Sequence, residues 1–368
     1  MTENLTNMER IKKEYELELR RQQRENLYKH PQLRHLFLEL TSRCNARCEH
    51  CGSRCDGNEQ GEEISTELLK KTLKEVADCY DPGMVFLDVT GGEPLMRADM
   101  YDILEYATDL GFNWGMTTNG MLITDKVAEK LEKAGMKSIS ISIDGLKETH
   151  EKFRKVPNCY EKVLHALDRM LESKTVQIVH VTTVVTKKNI HELEELYQLL
   201  LKHKLTNWRI VNCDPIGRAN DNKELFLDND DFKYMLKFID EKNKEGKMNE
   251  ISYGCSHFLG FNGEKKYRSF YFMCMAGILV GSILSNGDIF VCPNVPRRKE
   301  LIQGNIKKDS FVNVWETKYK EFRNPDRTSN KTCKRCKYWQ YCGGDSFHTW
   351  NFDENKPNIC LKPIFKDL

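Results

Sequence analysis

Between residues 35 and 215, short apolar and β-branched runs alternate with longer stretches in which apolar residues recur every three or four positions. The short runs read as strands at His35–Leu40, Val85–Val89, Asn113–Thr117, Ser138–Ile143, Val176–Val185 and Trp208–Asn212. The periodic stretches between them predict helices at Thr66–Cys79, Met100–Leu110, Asp125–Ala134, Cys159–Glu172 and Ile190–His203. Gly111, Gly135 and Gly145 fall where these elements end. Strands followed by helices in this way form βα units on a parallel sheet, so the fold class is α/β, and six units predict a partial (β/α)6 barrel of the TIM type. In such a barrel, chemistry collects just beyond the C-terminal ends of the strands.

The pattern changes at both ends of this region. Residues 5–30 are charged and rich in helix formers, with only a thin apolar stripe, which predicts an exposed leading helix. A partner-docking arm is the sharper reading of the same residues. No peptide-recognition domain of the winged-helix kind fits before Cys44. Beyond residue 250 the alternation stops and cysteines multiply. The expected organisation is therefore a leading segment over 1–34, a barrel over 35–245 and a cysteine-rich domain over 246–368.

Composition narrows the function. With 57 Lys+Arg against 55 Asp+Glu, the net charge is +2 over 368 residues, so no field calls for nucleic acid or a membrane surface. The N-terminal residues lack a charged segment followed by an apolar core, which argues against a signal peptide. The most apolar stretch, residues 277–284, is too short to span a bilayer. A cytoplasmic location is expected. There the fourteen cysteines read as metal ligands or buried thiols rather than disulfides. They cluster near residue 50 and after residue 250, with three between.

The first cluster is the most informative. Cys44, Cys48 and Cys51 are spaced C-x3-C-x2-C directly after the first strand. Three thiolates this close can hold three irons of a [4Fe–4S] cube and leave the fourth iron open to a small-molecule ligand. A zinc knuckle closed by Cys55 or His50 is the plainer alternative. The spacing resembles the cluster motif of the radical S-adenosylmethionine (SAM) enzymes. The resemblance implies that the open iron chelates SAM and that the reduced cluster cleaves it to methionine and a 5′-deoxyadenosyl radical, with flavodoxin or ferredoxin as electron donor.

Further motifs fall just after the strands, as the barrel rule requires. Gly91-Gly92-Glu93-Pro94 resembles the family's GGEP element, with Glu93 implied to lie near the SAM ammonium. Thr118 and Asn119 are expected in the same pocket. Ser142 and Asp144 resemble the ribose-contacting position after the fourth strand, with strand-end capping as the plain alternative. Asn189 and Arg218 are candidates for the methionine carboxylate or the adenine edge, against a solvated-loop reading. Cys213, at the expected barrel mouth, is a candidate hydrogen-atom donor, although a buried cysteine more often acts as a small hydrophobe.

The C-terminal pattern Cys274-x12-Gly287-x4-Cys292, Cys333-x2-Cys336-x5-Cys342 and then Cys360 resembles the SPASM extension of radical SAM enzymes. Residues 285–288 read as its hairpin turn. The resemblance implies one or two auxiliary [4Fe–4S] clusters, one of them held by Cys333, Cys336, Cys342 and Cys360. The other departs from the pattern, because Ser346 stands where a cysteine is expected. That leaves Cys274 and Cys292 with Cys255, Asp345, Ser346 or His348 as open alternatives. A different sorting groups Cys274 and Cys292 with Cys333 and Cys336, and a zinc ribbon on Cys333 and Cys336 is the plain metal alternative. Most enzymes with this extension act on peptides, so the first expectation is an oxidoreductase that modifies a ribosomally made peptide. The alternative substrate is a small molecule in cofactor or tetrapyrrole biosynthesis.

Overall fold

The computed structural model describes residues 6–55, 62–324 and 330–366. Its centre is a ten-stranded sheet: β1 (His35–Glu39), β2 (Phe86–Thr90), β3 (Asn113–Thr118), β4 (Ser138–Ser142), β5 (Ile178–Val185), β6 (Asn207–Asn212), β7 (Glu250–Tyr253), β8 (Val280–Ile283), β9 (Asp288–Phe290) and β10 (Gly304–Asn305). The spatial order is β10-β9-β8-β1-β2-β3-β4-β5-β6-β7, parallel from β8 to β7 and antiparallel at the β8–β9–β10 edge. The six predicted strands and their five helices are present. The α/β partial barrel with a cysteine-rich C-terminal extension is the fold that the alternation predicts.

Four strands arise from beyond residue 245, and two of them pair directly with the predicted ones. β7 extends the sheet beside β6, and β8 inserts beside β1 at the other edge. The sheet therefore crosses the boundary expected near residue 246. The apolar stretch at 277–284 is this edge strand, and no helix among the described residues is long and apolar enough to cross a membrane. The turn at 285–288 joins β8 to β9 as expected, with Gly287 in the left-handed region.

Burial alternates along β2 and β5 and along most of β1 and β6. Leu36 and Leu38, Leu87 and Val89, Ile139 and Ile141 are buried against the surrounding helices. The intervening positions face a polar lumen, where Asp88, Ser140, His180, Arg209 and Ser252 line a cavity of about 420 Å³. A parallel sheet packed on both faces would read as continuous apolar runs. Here one face is kept polar, which marks the interior as a place for a ligand rather than a core.

The leading helix, α1 (Asn7–Lys29), starts at a capping box formed by Thr6 and Glu9. It is no free arm. Leu17 and Leu27 are buried, Arg24 donates to the carbonyls of Tyr341 (2.9 Å) and Gln340 (2.6 Å), and Lys13 donates to that of Asn262 (3.0 Å). The sequence stripe is thin because only one narrow face of α1 meets the C-terminal region. Of the residues that suggest an unexported N-terminus, 1–5 lie outside the described chain.

Candidate active site

The cysteine loop leaves β1 and is clamped from three sides by the main chain. Gly92 N donates to Thr41 O (2.8 Å) and Glu93 N to Arg43 O (2.9 Å). A Cβ on Gly92 would lie 2.2 Å from Arg43 O, and one on Gly91 2.6 Å from Thr41 O. These glycines therefore admit the cysteine loop as well as any ligand. On a second side, Arg47 N and Glu49 N donate to Arg154 O (3.2 Å) and Phe153 O (3.0 Å) at the end of the helix Lys147–Arg154. On the third, Arg218 N donates to Cys51 O (2.8 Å) and Arg218 Nε to Cys48 O (3.0 Å). Gly217 sits at φ 57°, where a Cβ would lie 2.3 Å from Gly52 O.

Cys44, Cys48 and Cys51 line one cavity of about 130 Å³, together with Gly91, Gly92, Thr118, Asn119, Ser142 and Arg218 from the expected set. Burial pushes the Cys44 thiol up to about 11, whereas the hydrogen bond from Cys55 lowers the Cys51 thiol. Cys48 is raised by burial, opposed by Arg154, whose Nη1 lies 3.6 Å from its Sγ. Among the described residues, no three His, Cys, Asp or Glu side chains could hold a metal ion between them. Three thiols spread around a shared space suit a body several atoms across, so the donor set fits an iron–sulfur cube better than a zinc knuckle.

Five expected residues lie outside the cavity wall. Glu93 is fully buried and accepts from Thr118 Oγ1 (2.8 Å) and Asn119 N (2.9 Å), which ties the GGEP turn to the end of β3; burial raises it to about 6. Pro94 sits behind it. Asn189 is spent on main-chain groups, donating to Asp144 O (2.6 Å) and Val184 O (2.9 Å) and accepting from Thr186 N (2.7 Å). Asp144 is enclosed, with its carboxylate 2.6 Å from Arg154 Nη2 and 3.4 Å from His50 Nε2. Burial alone would raise Asp144, but the Arg154 charge holds it below the usual carboxylate range.

Cys213 is the fifth residue outside the wall. It packs with Phe153, Ala219 and Leu225 in a small apolar cluster, and burial pushes its thiol up to about 12. It packs as a small hydrophobe and does not line the cysteine cavity. Cys213→Ala should cost about 1 kcal/mol, the scale of one buried methyl-sized group, in chemical denaturation, while 5′-deoxyadenosine formation continues.

Arg154 was missed by the sequence reading, and with His50 it contacts Asp144 beside the cysteine loop. The cysteine signature flags His50, but only as a zinc ligand. Arg154 carries no signal beyond being one of several basic residues at a helix end.

In the C-terminal region Cys333, Cys336, Cys342 and Cys360 line a single small cavity of about 40 Å³ walled by Tyr338, Trp339 and Phe365. These are the four cysteines that the resemblance groups in one cluster. Cys274 does not line that cavity; burial pushes the Cys292 thiol up to about 12, and the nearby Cys274 and Cys255 thiols add to the rise. Cys255 in turn is raised by burial and by Cys274. Ser346 donates to Cys255 O (2.5 Å), so its hydroxyl holds the Cys255 main chain. Asp345 is engaged by Phe258 N (2.8 Å) and His257 Nδ1 (3.3 Å), and His348 by Ser256 Oγ (3.1 Å). The remaining group is the trio Cys255, Cys274 and Cys292. Cys342→Ala should lower iron by about four atoms per chain and spare SAM cleavage; colorimetric iron and sulfide analysis would check this, and an unchanged count would remove Cys342 from the ligand set.

The Radical SAM superfamily profile matches residues 38–200, and that of the SPASM iron-sulfur cluster-binding domain matches residues 274–337. The chain belongs to the radical SAM superfamily. The [4Fe–4S] clusters and SAM implied by its two domains follow from that membership. This radical SAM chain is 28% identical to the AdoMet-dependent heme synthase of Methanosarcina barkeri over 345 residues, covering 88% of the chain and 95% of that protein. It is also 28% identical to the mycofactocin maturase MftC of Mycolicibacterium smegmatis, covering 84% of the chain and 77% of that protein. The fold is similar to that of Streptococcus suis SuiB bound to S-adenosylmethionine, with a TM-score of 0.69 and 18% identity over 86% of this chain and 74% of that one.

Proposed function

We propose that this radical SAM enzyme generates a substrate radical on a small molecule held in the barrel lumen. The carrying observation is that Thr117 lines both the cysteine cavity and the lumen cavity of about 420 Å³, so the two spaces adjoin at one strand. A space of that size is typical of small-molecule sites. The similarity to heme synthase, which extends over nearly the whole of that protein, supports the same reading.

When bound, SAM on the cube supplies a 5′-deoxyadenosyl radical, which can take hydrogen from an unactivated C–H bond. The protein's part is placement. Cys44, Cys48 and Cys51 would hold three irons, and Arg154 would donate to the Cys48 thiolate. Gly91 and Gly92 would let SAM approach the main chain, with Thr118, Asn119, Ser142 and Arg218 around it. A flavodoxin or ferredoxin would deliver the electron. The trio Cys255, Cys274 and Cys292 would hold a second auxiliary cluster beside the four-cysteine one.

Modification of a ribosomally made peptide is the second reading, favoured by the likeness to the mycofactocin maturase. The test is anaerobic incubation of the reconstituted enzyme with SAM and dithionite, adding either Fe-coproporphyrin III or synthetic precursor peptides. Deoxyadenosine formation stimulated by the tetrapyrrole, with a mass change in it, is the expected result. Stimulation by peptides alone would overturn the small-molecule reading.

A further inference from the structure

The turn that ends the helix Lys147–Arg154 meets the cysteine loop twice, through its main chain and through a side chain. Its carbonyls tie the loop on either side of Cys48, Arg154 O accepting from Arg47 N (3.2 Å) and Phe153 O from Glu49 N (3.0 Å). Its last side chain reaches the sulfur between them, with Arg154 Nη1 3.6 Å from Cys48 Sγ. Arg154 is buried, at 8% exposure, and its Nη2 lies 2.6 Å from the Asp144 carboxylate. Asp144 is fixed in turn by Val184 N, which donates to its Oδ1 (3.1 Å), and by its own N, which donates to His150 Nδ1 (3.2 Å). Guanidinium and sulfur are therefore held in one fixed relation. Burial raises the Cys48 thiol, and the Arg154 charge opposes that rise more strongly than either Cys51 or Asp144 reinforces it.

A charged donor at a cluster sulfur favours the more negative redox state, because reduction adds an electron to the iron–sulfur core while the donor stays in place. In a buried site little water screens that attraction. Clamping the loop needs only the main chain of this turn, and Asp144 needs only a counter-charge. Neither accounts for the second guanidinium nitrogen at Cys48. We infer that Arg154 sets the reduction potential of the three-cysteine cube, raising it through the bond to Cys48 Sγ, with Asp144 as the residue that positions it. The step affected is a one-electron transfer: the cube takes up one electron, the donor loses it, and no proton or covalent bond moves. This rests on the cube that the reading above places on Cys44, Cys48 and Cys51, and it adds what governs the reduction of that cube.

The test is a dithionite redox titration of the reconstituted full chain, followed by electron paramagnetic resonance, with no substrate present. The signal of the three-cysteine cube is the one that added SAM perturbs. Arg154→Lys keeps a charge for Asp144, but one ammonium cannot serve carboxylate and sulfur as a planar fork does. Its potential should fall by about 59 mV, a loss of about tenfold in the reduced-to-oxidised ratio at a fixed potential. Asp144→Asn removes a negative charge and should move the potential upward. A purely structural role predicts no such pair of opposite shifts. In the wild type, isotope-labelled arginine guanidinium nitrogens should show a hyperfine coupling to the reduced cube that Arg154→Lys loses. A variant with wild-type iron content whose potential is unchanged, or moves the other way, would overturn the inference. So would a wild type without the nitrogen coupling, and if neither variant holds iron that coupling decides alone. Because substrate is absent throughout, failure here leaves the small-molecule reading standing, and failure of that reading leaves this result standing.

Discussion

Replacing Cys44, Cys48 or Cys51 with alanine should abolish 5′-deoxyadenosine formation and lower iron by about four atoms per chain. The reason is geometric. The three thiols share one cavity, and the main chain that carries them is pinned by Gly92, Glu93, Arg154 and Arg218, so the loop cannot shift to make good a lost ligand. Cys55 lines the same space and is the nearest substitute. Its thiol is hydrogen-bonded to that of Cys51, which makes Cys51→Ala the most stringent of the three. The measurement is anaerobic incubation with SAM and dithionite followed by chromatography, alongside iron analysis. Residual deoxyadenosine from any single variant would contradict the assignment, whereas the C-terminal four-cysteine site should keep its own iron.

The second large effect concerns a residue outside the known motifs. Arg154→Gln should destabilise the fold by about 3–5 kcal/mol, the usual cost of leaving a buried charge without its partner. Asp144 is fully enclosed, and its strongest contact is the 2.6 Å pair with Arg154. In the native protein the Asp144 carboxyl sits below its ordinary value of 3.8, so it contributes stability above that pH and loses it as pH falls further. Without Arg154 the sign reverses. Burial then dominates and raises the carboxyl above its unfolded value, so the variant loses stability as pH rises. Urea unfolding at pH 5.5 and pH 8 (about two to three units apart, to bracket the change) should show the gap between variant and wild type widening with pH. A gap that stays constant would mean that Asp144 keeps a counter-charge from elsewhere. Cluster content should fall as well, because the same guanidinium faces Cys48 Sγ at 3.6 Å.

Much of the barrel was legible because both of its periods are written in the chain. The helix Thr66–Cys79 has the predicted bounds, and the strands differ by one or two residues. β7 and β8 were not legible, since each spans four residues and pairs with strands distant in sequence. Nothing local distinguishes such a segment from a loop. Spacing picked out three cysteines that line one cavity, whereas position after a strand did not by itself bring a residue into the cavity wall. Asn189 and Asp144 do follow strands, yet one closes main-chain hydrogen bonds and the other completes a buried ion pair. The lumen residues Asp88, His180 and Arg209 could have been found, because polar residues alternating with Leu, Val and Ile in β2, β5 and β6 point to one face.

The insertion of β8 beside β1 has a consequence for how such proteins can be taken apart or recombined. A fragment ending near residue 245 would expose unpaired edges at both β1 and β6, inviting association with other chains rather than yielding a minimal catalytic unit. Swapping only the cysteine-rich tail between relatives would remove a stave of the barrel itself, so chimaeras should be cut outside residues 250–283.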